Sequence, residues 1–370
     1  MRVGGPAERI LVARSAEDLV AHAAELWAEG EPWLLLGGGS NTVVSDEGYP
    51  GTMLLVRSTG TAPIQDPDAA AAGKLRLRVQ AGHDWDHLVA ACVDRGLAGI
   101  EALSGIPGLA GAAPVQNIGA YGQELSDVLH SVAFYDHELG ETVRLTGEEL
   151  ELGYRDSAIK RGREGVVVSI DLLLTPAETD ANGVALSTPI AYAQLAGALG
   201  VEVGERVPLR VLRDAVLRLR ASKGMVLEPA DHDTWSSGSF FTNPIVSEKF
   251  ARTLPDDAPR FQLEADEDEP AITSFEELAA GQPLRVPQQQ GERSVKLSAA
   301  WLIDNAGVRK GFRLPGSGAA ISSKHTLAIT NRGAATAADV AELARFVVQR
   351  VQQEFGVILA PEPNLYGLEL

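Results

Sequence analysis

Residues 103–122 read LSGIPGLAGAAPVQNIGAYG, a segment with five glycines, two prolines and no charged side chain. Long surface loops usually carry polar side chains, because their backbone runs along the solvent. A long, uncharged loop of small residues instead suits backbone that lies against a large buried ligand and binds it through peptide groups. The alternative interpretation is an ordinary buried glycine-rich turn.

A second glycine-rich segment, GGGSN at residues 37–41, follows a predicted buried strand. Three consecutive glycines let backbone N–H groups converge on an anion, which predicts a phosphate cradle. The segment is not a Rossmann fingerprint, because Thr42 replaces the third glycine and no helical pattern follows Asn41. It lacks the Gly-Lys-Ser/Thr of a P-loop. Alone, it fits a plain hairpin or bulge turn equally well.

Apolar periodicity around the two loops predicts mixed helices and strands, with Ser15 capping an amphipathic helix that ends at Gly30. Strands are expected at residues 9–14, 33–36, 52–58, 74–80, 131–136, 142–145, 165–174, 325–330 and 357–361, the last leading to Glu362. Helices are expected around Cys92, after Val207, from Ser298, and from Thr336 to Gly356. This order is typical of an α+β fold.

Length and composition limit the class of protein. The chain has 370 residues, enough for two or three domains, and its net charge of -18 disfavours binding to nucleic acids. Its one cysteine, Cys92, lies on an apolar helical face and leaves no partner for a disulfide or a thiolate metal site, so no metal is predicted. An acidic loop at 264–270 and a Gln-rich turn at 288–290 are expected on the surface.

The chain shows no apolar signal core near its N-terminus and no apolar stretch of about 20 residues, which predicts a cytoplasmic protein with no membrane partner.

Three polar side chains stand out, each with a plain structural alternative. Arg155 in GYRDSAIK is compatible with the start of a short helix, where it could simply pair with Asp156. Ser239 in SSGSFFTNP fits a cap or turn hydroxyl, because no Gly-x-Ser-x-Gly elbow surrounds it. His325 is an isolated histidine for which a structural role is the default.

Taken in order, the segments GGGSN, IPGLAGAAPVQNIGAYG, GYRDS, GSFFTNP, VKLSAAWLID and APEPN resemble the UDP-N-acetylenolpyruvoylglucosamine reductases over residues 15–366. The resemblance implies a two-subdomain FAD-binding fold of the vanillyl-alcohol-oxidase (PCMH) type and a smaller α+β substrate domain. Its expected divisions are FAD-binding subdomains at 1–72 and 73–225, the second with a tyrosine loop, a substrate domain at 226–355, and a returning C-terminal segment at 356–370.

By the same resemblance, FAD is bound without a covalent link and NADPH is the electron donor. The residues implied in cofactor binding are Gly37, Gly38, Gly39, Ser40, Asn41, Pro107, Gly108, Gly111, Ala113, Pro114, Asn117, Gly119, Ala120, Tyr121 and Val167, with Val168 beside it.

The implied reaction is reduction of UDP-N-acetylglucosamine-enolpyruvate to UDP-N-acetylmuramate, with hydride added at the β-carbon. Arg155 matches the family's catalytic arginine, and a planar guanidinium suits a substrate carboxylate whose negative charge grows in the transition state. Ser239 matches the proton donor to the α-carbon. Glu362 matches a C-terminal glutamate expected to act as a neutral acid.

For the nucleotide, the resemblance implies Tyr192, Lys223 and Asn243, with Arg155, Arg220, Lys223 and Lys296 as a local positive funnel. Lys324 and His325 are open as substrate contacts, because ISSKH departs from some relatives. The resemblance also implies a monomer that acts on a small molecule.

Two other functions remain open on the sequence. An oxidase of the same fold would often bind FAD covalently through histidine, and the segments 37–41 and 107–121 contain none. A non-catalytic flavin- or nucleotide-binding module would not need Arg155, Ser239 and Glu362 in one place.

Overall fold

A computed structural model describes residues 1–262 and 294–370. The predicted acidic loop at 264–270 and the Gln-rich turn at 288–290 lie outside the described residues.

The first unit has the predicted order of strand, helix, strand, glycine turn and strand. Its elements are β1 (Ala7–Ala13), α1 (Ala16–Glu29), β2 (Trp33–Leu36), β3 (Thr42–Val44) and β4 (Tyr49–Val56).

Strands β1, β4 and β2 form a parallel three-stranded sheet in that order, and α1 packs on it. The predicted ends of α1 are confirmed. Ser15 and Asp18 form a capping box, and Gly30 ends the helix at φ 70°.

The second unit is a larger antiparallel sheet, with helices and short strands around it. Its elements are β5 (Thr61–Ile64), α2 (Pro67–Ala71), β6 (Leu75–Gln80), α3 (Trp85–Asp94), β7 (Leu97–Ala98), β8 (Gly119–Ala120), β9 (Gln123–Glu124), β10 (Leu129–Asp136), β11 (Glu141–Thr146), β12 (Gly165–Pro176), α4 (Ala193–Leu199) and α5 (Leu209–Ser222). The strand order is β11-β10-β12-β6-β5.

The division at residue 72 stays a prediction. Strand β5, which precedes it, already pairs with β6 in the larger sheet.

Residues 103–122 are not a regular element, apart from a 3₁₀ helix at Ala110–Gln116 and strand β8. Asp84 of the loop before α3 bridges to Leu109, and the Trp85 indole N–H donates to the Leu103 carbonyl at 3.2 Å. The loop is therefore fixed to the core of the second unit, in which Cys92 is buried as predicted.

The third region has its own apolar core beneath the long terminal helix. Its elements are β13 (Ile245–Ser247), α6 (Glu248–Ala251), β14 (Arg260–Gln262), β15 (Ser294–Leu297), α7 (Ala299–Asn305), β16 (Ala319–Ile321), β17 (Ile329–Asn331), α8 (Ala337–Phe355) and β18 (Asn364–Tyr366). As predicted, Thr336 and Asp339 form the capping box of α8, and Gly356 ends it at φ 69°. Val43 of the first unit is part of this core.

The predicted strand at 325–330 is wrong over its first half. The buried Ser322 hydroxyl accepts the N–H groups of Lys324 and His325, at 3.0 and 3.3 Å, and the Ala328 N–H donates to the His325 carbonyl. These bonds close a turn, so only β17 is extended.

The predicted strand at 357–361 is also wrong. Pro361 makes a single bridge to Phe241, and the ladder forms only at β18, which pairs in parallel with β3. Pro361 and Pro363 flank Glu362 and have no N–H to donate, so they delay the ladder until Asn364.

A buried carboxylate joins three strands of the larger sheet. The Asp171 side chain, 0% exposed, accepts bonds from Arg76 at 2.7 Å, Arg78 at 2.8 Å and Arg144 at 2.9 Å. Burial alone would raise the pKa of Asp171, but the hydrogen bonds from Arg78 and Arg76 and the charge of Arg144 hold it below its ordinary value.

We predict that Asp171→Asn lowers the free energy of unfolding at pH 7 by about 3 to 5 kcal/mol, because it leaves three guanidinium groups facing a neutral amide. The native pKa of Asp171 is depressed, so its contribution is present at neutral pH and is lost as the pH falls through that pKa. Urea denaturation at pH 7 and at a series of pH values below 3.8 measures both effects. Asp214→Asn on the exposed face of α5 is the control, and an equal change in both variants contradicts the prediction.

Candidate active site

Arg155 lies in a tight turn and not at the start of a helix. Gly153 and Asp156 exchange backbone hydrogen bonds at 3.1 and 3.3 Å, and Arg155 between them has φ 54°, in the left-handed region. The alternative in which Arg155 pairs with Asp156 is wrong, because the Asp156 carboxylate accepts from Arg161. The Arg155 side chain is thus available to groups farther along the chain.

The Arg155 guanidinium is held by backbone of the glycine-rich loop and faces Glu362. Its Nη1 donates to the Asn117 carbonyl at 3.1 Å and its Nη2 to the Gly119 carbonyl at 2.6 Å. The distance from Nε to Glu362 Oε1 is 3.8 Å. The structure therefore brings together Arg155 and Glu362, which are more than 200 positions apart in sequence.

Glu362 is carried to Arg155 by the returning C-terminal segment. Its N–H donates to the Phe240 carbonyl at 2.9 Å, and its own carbonyl accepts from Asn41 Nδ2 at 3.2 Å. Its side chain is 17% exposed. Burial raises the pKa of Glu362, while Arg155 and Lys160 act against this rise. The direction agrees with the predicted neutral acid.

Ser239 immediately precedes Phe240, so the same backbone bond places its segment beside Glu362. Within residues 1–262 and 294–370, the Ser239 hydroxyl has no hydrogen-bond partner. The neighbouring Ser237 Oγ is buried and also unpartnered among the described atoms. Buried polar atoms without partners are rare and often mark a place for a ligand or water.

The GGGSN segment forms a backbone cradle. In the described part of the chain, no protein acceptor takes a hydrogen bond from the N–H groups of residues 37–41. A Cβ on Gly38 would lie 3.2 Å from the Gly108 Cα, and Ser40 Oγ donates to the Pro107 carbonyl at 3.2 Å. The two glycine-rich loops therefore meet, and consecutive free N–H groups suit a pyrophosphate. The residues present fit FAD.

The other predicted cofactor residues surround this contact and are partly structural. Gly111 packs so closely on Ala81 that a Cβ there would lie 2.6 Å from the Ala81 Cβ. Ala113 and Pro114 are buried in the 3₁₀ helix, Ala120 lies in β8, and Val167 and Val168 are buried in β12.

Two tyrosines and a lysine form a second group. The rings of Tyr121 and Tyr192 meet edge to face, with centroids 5.8 Å apart, and Lys223 Nζ lies 5.6 Å from the centre of the Tyr121 ring. Lys223 also donates to Gln194 Oε1 at 3.1 Å. Burial, with a smaller effect of Arg220, lowers the pKa of Lys223. Tyr192 is 45% exposed, as a residue that covers a ligand would be.

The remaining candidates are distributed around these two groups. Asn243 Oδ1 accepts from the Ala299 N–H at 3.0 Å, so part of its amide holds the start of α7. Lys296 Nζ lies 4.4 Å from the centre of the Tyr154 ring, next to Arg155. Arg220 Nε donates to the Gly105 carbonyl at 3.1 Å.

The histidine and lysine of ISSKH differ in their surroundings. Lys324 is paired with Asp231. Burial, followed by the charges of Lys223 and Lys310, lowers the pKa of His325 to about 4. His325 therefore faces two cations and is neutral at neutral pH.

Sequence reasoning missed Ser157 and Lys160 beside Arg155, and it named Asn117 only as a cofactor residue. The Asn117 amide donates to the Gly153 carbonyl at 3.2 Å, the buried Ser157 hydroxyl donates to the Val115 carbonyl at 2.7 Å, and Lys160 Nζ donates to the Arg155 carbonyl at 2.7 Å. No spacing rule points to them, because each bond joins a side chain to backbone.

Arg155 and Glu362 are not dispersed in the structure, which disfavours the non-catalytic flavin- or nucleotide-binding module.

Two family profiles match this chain. The profile of the UDP-N-acetylenolpyruvoylglucosamine reductase C-terminal domain matches residues 228–366, and that of an FAD binding domain matches residues 7–146.

Among curated proteins of that name, the one from Leifsonia xyli subsp. xyli (strain CTCB07) is 59% identical over 100% of this chain and 97% of its own. The one from Saccharopolyspora erythraea is 46% identical over 100% and 93%. A crystal structure of UDP-N-acetylenolpyruvylglucosamine reductase (MurB) from Thermus caldophilus superposes with a TM-score of 0.57 at 26% identity, covering 98% of this chain and 94% of that one.

These matches confirm the predicted α+β fold with an FAD-binding domain, and with it FAD as cofactor. NADPH as the electron donor stays a prediction. The chain belongs to the UDP-N-acetylenolpyruvoylglucosamine reductase family, flavin-dependent oxidoreductases of peptidoglycan precursor synthesis.

Proposed function

We propose that this chain reduces UDP-N-acetylglucosamine-enolpyruvate to UDP-N-acetylmuramate, with Arg155, Glu362 and Ser239 as catalytic residues. The observation that carries the proposal is the contact between Arg155 Nε and Glu362 Oε1 at 3.8 Å, in a segment bonded to the residue after Ser239. The Arg155 and Glu362 side chains, from distant parts of the chain, thus meet beside the loops that fit FAD, and the backbone next to Ser239 is bonded to the same segment. The cradle at residues 37–41 and the loop at 107–121 would hold FAD, which would supply hydride-transfer chemistry between NADPH and the β-carbon of the enolpyruvyl group.

Arg155 is suited to bind the substrate carboxylate. A guanidinium has five N–H donors, and two are used by the Asn117 and Gly119 carbonyls. The remaining donors can take a carboxylate on which negative charge accumulates when hydride arrives at the β-carbon. Both carbonyls lie in fixed backbone, so the guanidinium is oriented before the substrate binds.

Glu362 acts as a neutral acid in this proposal. In the protonated state, its carboxyl O–H would face the substrate carboxylate without like-charge repulsion. A donated hydrogen bond from Glu362 would strengthen as the carboxylate gains charge. Burial raises the pKa of Glu362 and favours this state, while Arg155 and Lys160 act against the rise.

Ser239 supplies the proton to the α-carbon. An alcohol is a weak acid, so this step requires a strongly basic enolate-like carbon as the acceptor. The hydroxyl has no partner among the described residues, so it is free to turn toward a substrate. Its backbone is held by the pairing of residues 240–242 with 360–362.

The nucleotide end of the substrate is assigned to Tyr192, Lys223 and Asn243. Lys223 provides a cation 5.6 Å from the centre of the Tyr121 ring, which in turn contacts the exposed Tyr192 ring. The Nδ2 group of Asn243 is not used by the bond to Ala299. Within residues 1–262 and 294–370, no helix is long and apolar enough to cross a membrane. The monomeric state and the cytoplasmic location stay predictions.

Steady-state turnover tests the proposed function. The purified protein is incubated with NADPH and UDP-N-acetylglucosamine-enolpyruvate, and the product is identified by mass spectrometry. We expect one NADPH consumed for each UDP-N-acetylmuramate formed. NADPH oxidation that depends only on oxygen would support the oxidase alternative instead.

We predict that Ser239→Ala leaves flavin reduction by NADPH nearly unchanged and slows flavin reoxidation by the enolpyruvyl substrate by about 10² to 10⁴-fold, the usual effect of losing a general acid. Stopped-flow absorbance follows the two half-reactions separately. Ser236→Ala, in the same turn, is the matched control. Equal slowing of both half-reactions contradicts the assignment of Ser239.

We predict that reoxidation is fastest below the pKa of Glu362 and slows as the pH rises through it, because the protonated form is the active one and burial raises that pKa. Glu362→Gln keeps a neutral hydrogen-bond donor at all pH values. It should retain substrate binding, turn over more slowly and lose this pH dependence. A variant that loses affinity but keeps full turnover at saturation would make Glu362 a binding residue only.

We predict that Gly119→Ala slows reoxidation by about 10²-fold, the order expected for a misplaced catalytic group. Its Cβ would lie 3.2 Å from Arg155 Nη1 and 2.9 Å from Glu124 Cγ, so the guanidinium must move. Gly197→Ala in α4 is the matched control, because a Cβ there meets nothing within 4 Å. A Gly119→Ala protein as fast as this control contradicts the role of the loop in orienting Arg155.

A further inference from the structure

Asn117 was expected from the resemblance to bind the cofactor, and its side chain makes several hydrogen bonds to protein groups around Arg155. The residue is 1% exposed. Its Nδ2 donates to Gly153 O at 3.2 Å, Glu124 Oε2 at 3.1 Å and Ser126 Oγ at 3.3 Å. Its Oδ1 accepts from the Ser126 N–H at 3.0 Å. Both N–H groups of the amide are therefore bonded to protein, and Oδ1 accepts one bond of the two it can take.

The backbone of Asn117 has a second connection to the same site. Asn117 ends the 3₁₀ helix with φ 41° and ψ 68°, a left-handed conformation that asparagine tolerates better than most residues. This conformation turns its carbonyl out of the helical direction, and the carbonyl accepts from Arg155 Nη1 at 3.1 Å.

Asn117 thus holds Arg155 at both ends. Its carbonyl binds the guanidinium, while its amide binds the carbonyl of Gly153, two residues before Arg155 in the turn. Arg155 itself has φ 54°, a conformation that persists only where the surroundings enforce it. Asn117 bonds to both the Arg155 side chain and the turn, so it is placed to enforce this left-handed conformation.

We propose that Asn117 is a positioning residue for Arg155 and contributes to reduction of the enolpyruvyl group through that arginine, not through the cofactor. This inference rests on the proposed function, because it concerns the orientation of the carboxylate-binding group. Substrate reduction should need Asn117, whereas flavin binding and flavin reduction should not.

Two substitutions separate the amide from the backbone. Asn117→Asp keeps the size and the Oδ1 acceptor but removes the N–H that binds Gly153. Asn117→Gly keeps the left-handed backbone and the carbonyl that binds Arg155 but removes the whole amide. Asn182→Asp, in an exposed turn, is the control for the change of charge.

We expect both Asn117 variants to keep their FAD content and to be reduced by NADPH within about twofold of the unaltered protein. Reoxidation by saturating substrate should be slowed by about 10 to 100-fold, the range for a displaced catalytic group. Loss of FAD, or equal slowing of both half-reactions, would overturn the proposal and make Asn117 a cofactor or general structural residue.

A double-mutant cycle with Arg155→Lys distinguishes a role through Arg155 from an independent one. Lysine keeps the charge but has no fork to bond the two carbonyls. The double variant should then be about as slow as the slower single variant, whereas effects that multiply would overturn the proposal.

The cycle also separates this inference from the proposed function. If the unaltered protein's reduced flavin is not reoxidised by the substrate, the proposed function fails. The four proteins of each cycle are then compared by urea unfolding, which needs no substrate. They are the unaltered protein, one Asn117 variant, Arg155→Lys and the double variant. Non-additive changes in the unfolding free energy would support the link between Asn117 and Arg155, and additive changes would overturn it.

Discussion

The return of the C-terminal segment is the constraint on which the site depends. Within five residues, this segment bonds to Asn41 of the backbone cradle and to Phe240 next to Ser239, the proposed proton donor. Its Glu362 side chain also faces Arg155 at 3.8 Å. The Asn364 N–H returns a bond to the Asn41 carbonyl at 3.0 Å. Prolines on both sides of Glu362 keep it out of a regular ladder and leave its side chain to face the arginine. One short segment thereby connects all three parts of the chain.

Strained backbone is concentrated where this segment meets the glycine-rich loop. Five residues other than glycine have positive φ in the described structure, and Asn117, Tyr121 and Arg155 among them lie at the site. Such conformations cost of order 1 to 3 kcal/mol each and persist where surrounding bonds determine them. Here those bonds are donated by Arg155 to the Asn117 and Gly119 carbonyls. The strain is consistent with a catalytic arginine held ready before the substrate arrives.

Much of the fold could be predicted from sequence, because helix caps and apolar periodicity are local signals. As expected, two helices begin after the N-caps Ser15 and Thr336. The same helices end at Gly30 and Gly356. The predicted strands at 325–330 and 357–361 failed for local reasons that apolar periodicity does not reveal. The Ser322 hydroxyl closes a turn inside an apolar run, and prolines without N–H groups interrupt the last strand. In the site, the identities of Arg155, Ser239 and Glu362 could be taken from motifs, but the bonds that place them join side chains to distant carbonyls and follow no spacing rule.

We propose that one site receives electrons on its flavin and passes them to an enolpyruvyl substrate. The most direct measurement is anaerobic. The purified holoprotein is reduced with one equivalent of NADPH, UDP-N-acetylglucosamine-enolpyruvate is added, and the visible flavin absorbance is followed. We expect the absorbance band of the oxidised flavin to return without oxygen. A flavin that is reduced but stays bleached after the substrate is added would contradict this proposal.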